Sequence, residues 1–474
     1  MRPHPFDRYA PFTDVAALKA ISEERLRKSI RVNTLKCSVE RFVRYAQERG
    51  WALEKVPWCE EGFFIEREER DRALGRDVLH LLGHFYMQEA ASMLPVVLLD
   101  PQPGETILDM SAAPGSKTTQ IGARMQGRGV VVANDVQEKR LWTLKSALHR
   151  SGVHNVIVTK KVGQWFGRHM TEAFDRVLCD APCTAQGTAR KDSDALTYSS
   201  EGNVLKMARL QEALLESAVH AAKVGGTIVY STCTLTPEEN EMLVQKILNK
   251  FCDQLEVVPI ADAWAKQAIG ASRRVQDWIA ETYKLQATNY ALVRLWPHEH
   301  DVEGFFAAVL RKVKPTKYRE EFQRVDFQEV RLPEGRQEAF ARYLAQKFGA
   351  PFLAEDNVLY ERGEELILTN RACADFPLPV QNYSLGLPFG RRIVDGKVRL
   401  SNEVASLRGQ SATKNIIRLT DGQRDLVLEG KDIPCDASLD GDCVLLWRDI
   451  ALGLGLARDG LLKNRLSRWV VLRA

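Results

Sequence analysis

Leu108-Asp-Met-Ser-Ala-Ala-Pro-Gly-Ser-Lys-Thr118 reads as the end of a strand, a loop of small residues and the start of a helix. Upstream, Pro101 and Pro103-Gly-Glu105 form a turn into the apolar run Thr106-Ile-Leu-Asp109. Small residues after a strand end let the backbone approach a ligand closely, and a helix starting near Ser116 offers free amides. A nucleotide-like ligand fits there, and the loop is not the phosphate-binding GxxxxGK[ST] pattern. Downstream, Gly129-Val-Val-Val-Ala-Asn-Asp135 is a second strand ending in an acid. A carboxylate there can accept both hydroxyls of a ribose; helix N-capping is the alternative use of Asp135.

Working outward, a helix is expected near residues 139–150. Strands follow at Asn155-Val-Ile-Val-Thr159 and Phe174-Asp-Arg-Val-Leu-Cys-Asp180, then a long helix over about 204–223 and a fifth strand at Gly226-Thr-Ile-Val-Tyr-Ser231. This alternation predicts an α/β fold, a doubly wound Rossmann-like domain over residues 91–312 whose last strand is 304–310. Residues 1–90 are expected to form a small α/β module. Residues 311–319, basic and containing Pro315, read as a linker at the end of the Rossmann-like domain, leading into a linker and intermediate α/β region over 313–382. Short strands, glycines and the pairs Asp395-Gly396 and Asp421-Gly422 predict a mostly β domain over 383–474.

Lys+Arg number 66 and Asp+Glu 62 in 474 residues, a formal charge of +4, so surface fields are local. With 45% hydrophobic and 27% charged residues the chain is of ordinary globular composition, which excludes disordered and collagen-like classes. No apolar run approaches the roughly 18 residues of a membrane span. The N-terminal stretch lacks a secretory pattern, and a cytoplasmic protein is expected. Nine cysteines without a CxxC pair argue against a disulfide framework and a zinc ribbon. Cys37, Cys59, Cys252, Cys373, Cys435 and Cys443 read as small hydrophobes, and Cys179 as core.

Cys183 and Cys233 stand apart. Asp180-Ala-Pro-Cys183 closes the fourth strand and Ser231-Thr-Cys233 the fifth, so both thiols are expected beside the ligand crevice. A thiolate there is a strong nucleophile when cations or helix N-termini lower its pKa from about 8.5. Lys117 and the helix after Pro237 are candidates for that environment. A disulfide conflicts with the expected compartment, a metal pair lacks further ligands, and packing alone does not explain two strand-end positions. Spacing does not decide which thiol attacks.

The ordered combination LDMSAAPGSKT, DAPC and YSTCTLTPEENE resembles the Sun family of RNA cytosine-5 methyltransferases, which use S-adenosylmethionine. Further matches are Arg31-Val-Asn-Thr-Leu-Lys36, Gln88-Glu-Ala-Ala-Ser92, Arg190-Lys191-Asp192 and Gly304-Phe-Phe306. Gly386-Leu-Pro-Phe-Gly390 and Leu462-Lys-Asn464 are similar to the PUA-like tail of the bacterial 16S rRNA branch. Three departures stand out. Thr184-Ala185 replaces Ser-Gly, with Gly187 expected to compensate; Val162-Gly163 replaces an Asp-Gly pair; Ala147 replaces an Asn.

The resemblance implies that Cys233 adds to carbon 6 of cytosine, that Asp180 bonds ring nitrogen 3, and that Cys183 assists release after methylation. It implies cofactor contacts from Ser111, Ala112, Ala113, Pro114, Gly115, Ser116, Lys117, Asp135 and Asp180. RNA contacts are expected from Arg31, Asn33, Lys36, Arg190, Lys191 and Lys463, with Arg25, Arg27, Lys28, Arg465 and Arg468 adding basic character. The target base must be unpaired or flipped. The expected protein is a monomeric, metal-free rRNA methyltransferase acting on the small ribosomal subunit. The alternatives are a tRNA methyltransferase, a non-catalytic RNA-binding assembly factor and, disfavoured by the Thr-Cys site and the tail, a DNA methyltransferase.

Overall fold

In the computed structural model, which describes residues 4–67, 73–198, 200–283, 290–316, 323–393 and 397–471, four sheets follow one another along the chain. The first comprises β1 (Ser29–Val32), β2 (Ala52–Val56), β3 (Cys59–Glu66) and β4 (Phe85–Met87), antiparallel in the order β2-β3-β1-β4. The helix Val39–Glu48 buries Phe42, Tyr45 and Ala46, and β1 is buried along its whole length.

The central sheet comprises β5 (Thr106–Asp109), β6 (Val130–Asn134), β7 (Val156–Thr159), β8 (Phe174–Asp180), β9 (Ala222–Thr232), β10 (Leu255–Val257), β11 (Val293–Leu295) and β12 (Phe305–Lys312). Its order is β10-β12-β9-β8-β5-β6-β7, parallel from β9 to β7, with β12 antiparallel to β9 and β11 against β12. The branched runs follow from two-sided burial. Leu108, Val132, Ile157, Val177 and Ile228 enter one core; Ile107, Val131, Val156, Val158, Leu178 and Val229 enter the opposite one. Each such side chain contributes about 1.5–3 kcal/mol relative to exposure. The chain starts in the middle at β5, moves out through β6 to β7, and returns to place β8 on the other side of β5. Strand order therefore reverses between β5 and β8, where a crevice opens at the carboxyl ends.

Beyond it lie β13 (Val330–Arg331), β14 (Asn357–Arg362), β15 (Glu365–Asn370), β16 (Ser384–Leu385), β17 (Leu387–Arg392) and β18 (Val398–Leu400). All but β16 form an antiparallel sheet, whereas β16 pairs with β7 and extends the central sheet. The boundary expected at 382/383 thus falls inside one sheet, because β15 and β17 pair across it. The last sheet comprises β19 (Ile416–Leu419), β20 (Ile433–Pro434), β21 (Gly441–Trp447), β22 (Ile450–Arg458) and β23 (Leu461–Asn464), in the order β19-β21-β22-β23-β20. It shares a core with the first module, where Tyr45 meets Trp447 edge-on at 6.4 Å.

The linker expected over 311–319 begins later than its charge suggests. β12 runs through Lys312, whose buried Nζ donates to Ala222 O at 2.9 Å, and residues 317–319 lie outside the described ones. Among the described residues no helix is long and apolar enough to cross a membrane.

Candidate active site

The loop after β5 is shaped by Gly115, which caps the helix Ser116–Arg124 at φ +110°. A Cβ there would lie 3.0 Å from that of Ala147, so the alanine found in place of an Asn packs directly under the loop. Ala112 N–H donates to Asn134 O at 2.7 Å, tying the loop to β6. Asp109 is buried beneath it and accepts from Thr118 Oγ1 at 2.7 Å. Burial pushes its carboxyl up to about 7; the nearby Asp180 adds to the rise and Thr118 opposes it.

A cleft of about 440 Å³ opens over this loop, lined by Ser111, Ala113, Asp135, Val162, Asp180, Cys183 and Cys233 among others. Asp135 is 2% exposed. One of its oxygens accepts Gln137 N–H at 2.9 Å, and the other, Oδ2, has no hydrogen-bond partner. Arg140 lies 3.4 Å from Oδ2 and also donates to Ala113 O, bracing the acid against the loop. This carboxylate in the cleft wall suits a ribose hydroxyl. Val136 and Val162 line the same cleft with more than half of their surface exposed, apolar faces that suit a flat heterocycle. These features fit S-adenosylmethionine. Of the other residues expected at the cofactor, Pro114 is exposed, and Ala112, Gly115 and Ser116 shape the loop rather than line the cleft.

At the far end of the cleft, Lys117 Nζ lies 2.8 Å from Asp180 Oδ2, whose other oxygen accepts from Ser231 Oγ at 2.7 Å. Burial alone would lower the ammonium, but Asp180 outweighs it, with Cys233 and Asp109 adding, so Lys117 is held above its ordinary value. The sulfurs of Cys183 and Cys233 are 3.3 Å apart. The hydrogen bond to Cys233, then burial, then charge at Cys233 and Glu239 push the Cys183 thiol well up. The two thiols are hydrogen-bonding partners at this end of the cleft.

Glu239, which carried no role in the sequence reading, holds the two thiol loops together. Its fully buried carboxylate accepts Thr184 N–H at 3.0 Å, Gln211 Nε2–H at 2.7 Å, Thr236 Oγ1–H at 2.8 Å and the Thr184 hydroxyl. Thr184 Oγ1 and Thr234 Oγ1 lie 2.9 Å apart. The threonine that replaces a serine thus links the loop after Cys183 to the loop after Cys233. Ala185 makes the turn itself at φ +54°, and Gly187 serves another purpose. A Cβ on Gly187 would lie 2.1 Å from Gly304 O and 2.7 Å from Cys233 O. The only available cue was the run of Thr and Glu around Pro237, which does not reveal its partners.

Four of the six expected RNA contacts are corrected, three of them by burial between modules. Arg31, Asn33 and Lys36 are 1%, 2% and 5% exposed. Arg31 donates to Gln88 and Thr119 at 2.8 and 2.9 Å, and Asn33 to the carbonyls of Gly83 and Ser151 at 2.7 and 2.8 Å. Lys36 donates to Leu82 O and Ser406 Oγ at 2.8 and 3.2 Å, and burial pulls its ammonium down to about 7. All three join modules and offer nothing to a phosphate. Arg190 is likewise turned inward, onto Asp301 at 2.9 Å, whereas Lys191 and Lys463 are exposed.

A crevice at the point where strand order reverses, with a ribose-type acceptor on the neighbouring strand, is how Rossmann-like domains hold nucleosides, and the family matches make this domain a methyltransferase of that class. Residues 96–311 match the family described as 16S rRNA methyltransferase RsmB/F, and residues 11–90 match the N-terminal domain of 16S rRNA methyltransferase RsmF. The ribosomal RNA small subunit methyltransferase F of Aeromonas salmonicida is 36% identical over 461 residues, 94% of this chain and 91% of that protein. Its namesake in Psychromonas ingrahamii is 34% identical over 469 residues, 95% and 92% of the two chains. Among solved structures, a methyltransferase homologue from Pyrococcus horikoshii is 33% identical with a TM-score of 0.55, covering 66% of this chain and 100% of that one. The chain belongs to the RsmB/F family of 16S rRNA methyltransferases, and its cofactor is S-adenosylmethionine.

Proposed function

We propose that this protein forms 5-methylcytosine in 16S rRNA through a covalent adduct on Cys233. The 3.3 Å contact between the Cys183 and Cys233 sulfurs, with Lys117 and Asp180 alongside, carries this reading. Carbon 5 of cytosine is a weak nucleophile until a thiolate adds to carbon 6. Cys233 supplies that thiolate, with Lys117 as the neighbouring cation. Asp180 bonds ring nitrogen 3 and stabilises the base while it is attached. The bound cofactor supplies an electrophilic methyl group, and Asp135 holds its ribose. After carbon 5 is methylated, a base takes its proton, the freed electron pair re-forms the carbon 5–carbon 6 double bond, the carbon 6–sulfur bond breaks and the sulfur leaves as thiolate; Cys183 assists this release. Lys191 and Lys463 meet RNA phosphates. The site of action is the cytoplasm, where the small subunit is assembled.

Labelled S-adenosylmethionine incubated with 16S rRNA tests this, with the product read by bisulfite sequencing. The expected result is label at cytosine carbon 5, lost in Cys233→Ala while cofactor binding persists. Label in tRNA instead of rRNA, or a substantial rate in Cys233→Ala, would overturn it.

A further inference from the structure

We propose that Arg25 and Lys28, in the cleft they share with Arg67, hold phosphodiesters of single-stranded RNA flanking the target base. The inference rests on the RNA-modifying reading above and assigns that substrate a surface.

The chain between the helix Val15–Glu23 and β1 carries Arg25, Arg27 and Lys28, and Arg67 follows β3. Together they line a cleft of about 770 Å³ in the N-terminal module, in which Glu66 is the acidic side chain. Arg27 has an evident structural use: its guanidinium lies 4.0 Å over the ring of Phe64 and pairs with Glu54. Arg25 and Lys28 are exposed, and neither makes an ion pair with the described residues. They crowd each other. After burial, the charges of Arg25 and Arg67 are what lower the Lys28 ammonium, a repulsion that a bound anion relieves.

The position of this cleft is set by the catalytic domain. Arg190 donates to Glu24 O at 3.4 Å and Arg25 O at 3.3 Å while pairing with Asp301 at 2.9 Å. Ile65 N–H donates to Lys28 O at 2.9 Å from the other side. Arg190 closes the segment that starts at Gly187, whose N–H donates to Cys233 O at 2.9 Å. At ~3.6 Å per residue of extended chain, plus an arginine side chain, the Arg25 backbone lies within roughly 25 Å of the Cys233 carbonyl. The exposed Lys191 follows directly on Arg190. An unpaired base entering the catalytic pocket therefore leaves its flanking strand beside this group of cations. The inward-facing Arg190, a poor phosphate ligand itself, acts as the strut that fixes the cations relative to the thiols.

The test is fluorescence anisotropy of a short fluorescein-labelled single-stranded RNA with the full chain across a salt series. Each phosphate contact on a single strand contributes about 0.7 to the slope of log K against log salt. Replacing both side chains (Arg25→Gln with Lys28→Gln) is expected to reduce the slope by about 1.4. Affinity then falls about 25-fold at ~0.1 M salt and approaches parity at ~1 M. The charge-preserving pair (Arg25→Lys with Lys28→Arg) should bind as the parent, and binding of S-adenosylmethionine should be unchanged in both. An unchanged affinity and slope, a loss with no change in slope, or an equal loss in the charge-preserving pair would each overturn the assignment. Binding is read without methyl transfer, so absence of 5-methylcytosine would overturn the proposed function and leave this result standing.

Discussion

Cys183 Sγ lies 3.3 Å from Cys233 Sγ, a hydrogen-bonded pair of thiols that follow neighbouring strands β8 and β9. The hydrogen bond to Cys233, burial and the charge of Glu239 hold the Cys183 thiol well above its ordinary value, and Lys117 pairs with Asp180 at 2.8 Å in the same cleft.

That pairing predicts an adduct that fails to release when Cys183 is removed. In Cys183→Ala, attack by Cys233 and methyl transfer should persist while elimination stalls, because restoring aromaticity requires removal of the carbon 5 proton by a positioned group. A slow-migrating protein–RNA band should appear on denaturing gels and vanish when Cys233→Ala is added. A folded Cys183→Ala protein without the band would leave Cys183 as a packing residue.

Glu239→Gln should weaken the clamp between the thiol loops. Four donors converge on the carboxylate, and an amide turns one acceptor into a donor facing them. A loss of about 1–3 kcal/mol is expected in chemical denaturation. The methylation rate should fall at least ~10-fold, the effect of ~1.4 kcal/mol on a barrier, with the cofactor dissociation constant unchanged. Unaltered stability would show that the buried network tolerates the extra donor.

For Asp135→Ala, S-adenosylmethionine binding should weaken by about 1–3 kcal/mol, the range for hydrogen bonds to a charged group. Calorimetry measures it. An unchanged dissociation constant would mean that the Asp135 carboxylate does not hold the ribose.

Asp109 makes stability depend on pH. Below about pH 4 its carboxyl is protonated whether or not the chain is folded. Between about 4 and 7 the unfolded chain releases a proton that the folded chain retains, so stability falls as pH rises; above about 7 the full penalty remains. Asp109→Asn keeps an acceptor for Thr118 without that proton. It should therefore be more stable than the parent at pH 8, by up to ~4 kcal/mol for a rise of about three pKa units, and equally stable near pH 4. Parallel denaturation curves of parent and variant from pH 4 to 8 would refute it.

Much of the catalytic sheet was legible because its signals are local. A branched run such as Val130–Asn134 declares a strand buried on both faces, and the small-residue loop after Asp109 declares a close backbone approach, whatever lies elsewhere in the chain. Strand ends at Asp135, Asp180, Cys183 and Cys233 then converge by topology alone, and all four line one cleft. Cation-rich sequence was less informative, because charge does not reveal which way a side chain turns. Arg31 and Lys36 read as phosphate ligands and are buried joints, whereas Arg25 and Lys28 stay exposed a few residues earlier.

By itself, then, the sequence determined the order of the elements and which strand ends carry reactive groups, since periodicity and turn chemistry act over a few residues. Only the tertiary structure decided which groups are partners. The Lys117–Asp180 pair, the Glu239 clamp and the core that joins Tyr45 to Trp447 each bring together residues from separate elements. Such contacts depend on how whole elements pack and on which side chains that packing desolvates, and no short stretch of chain encodes that.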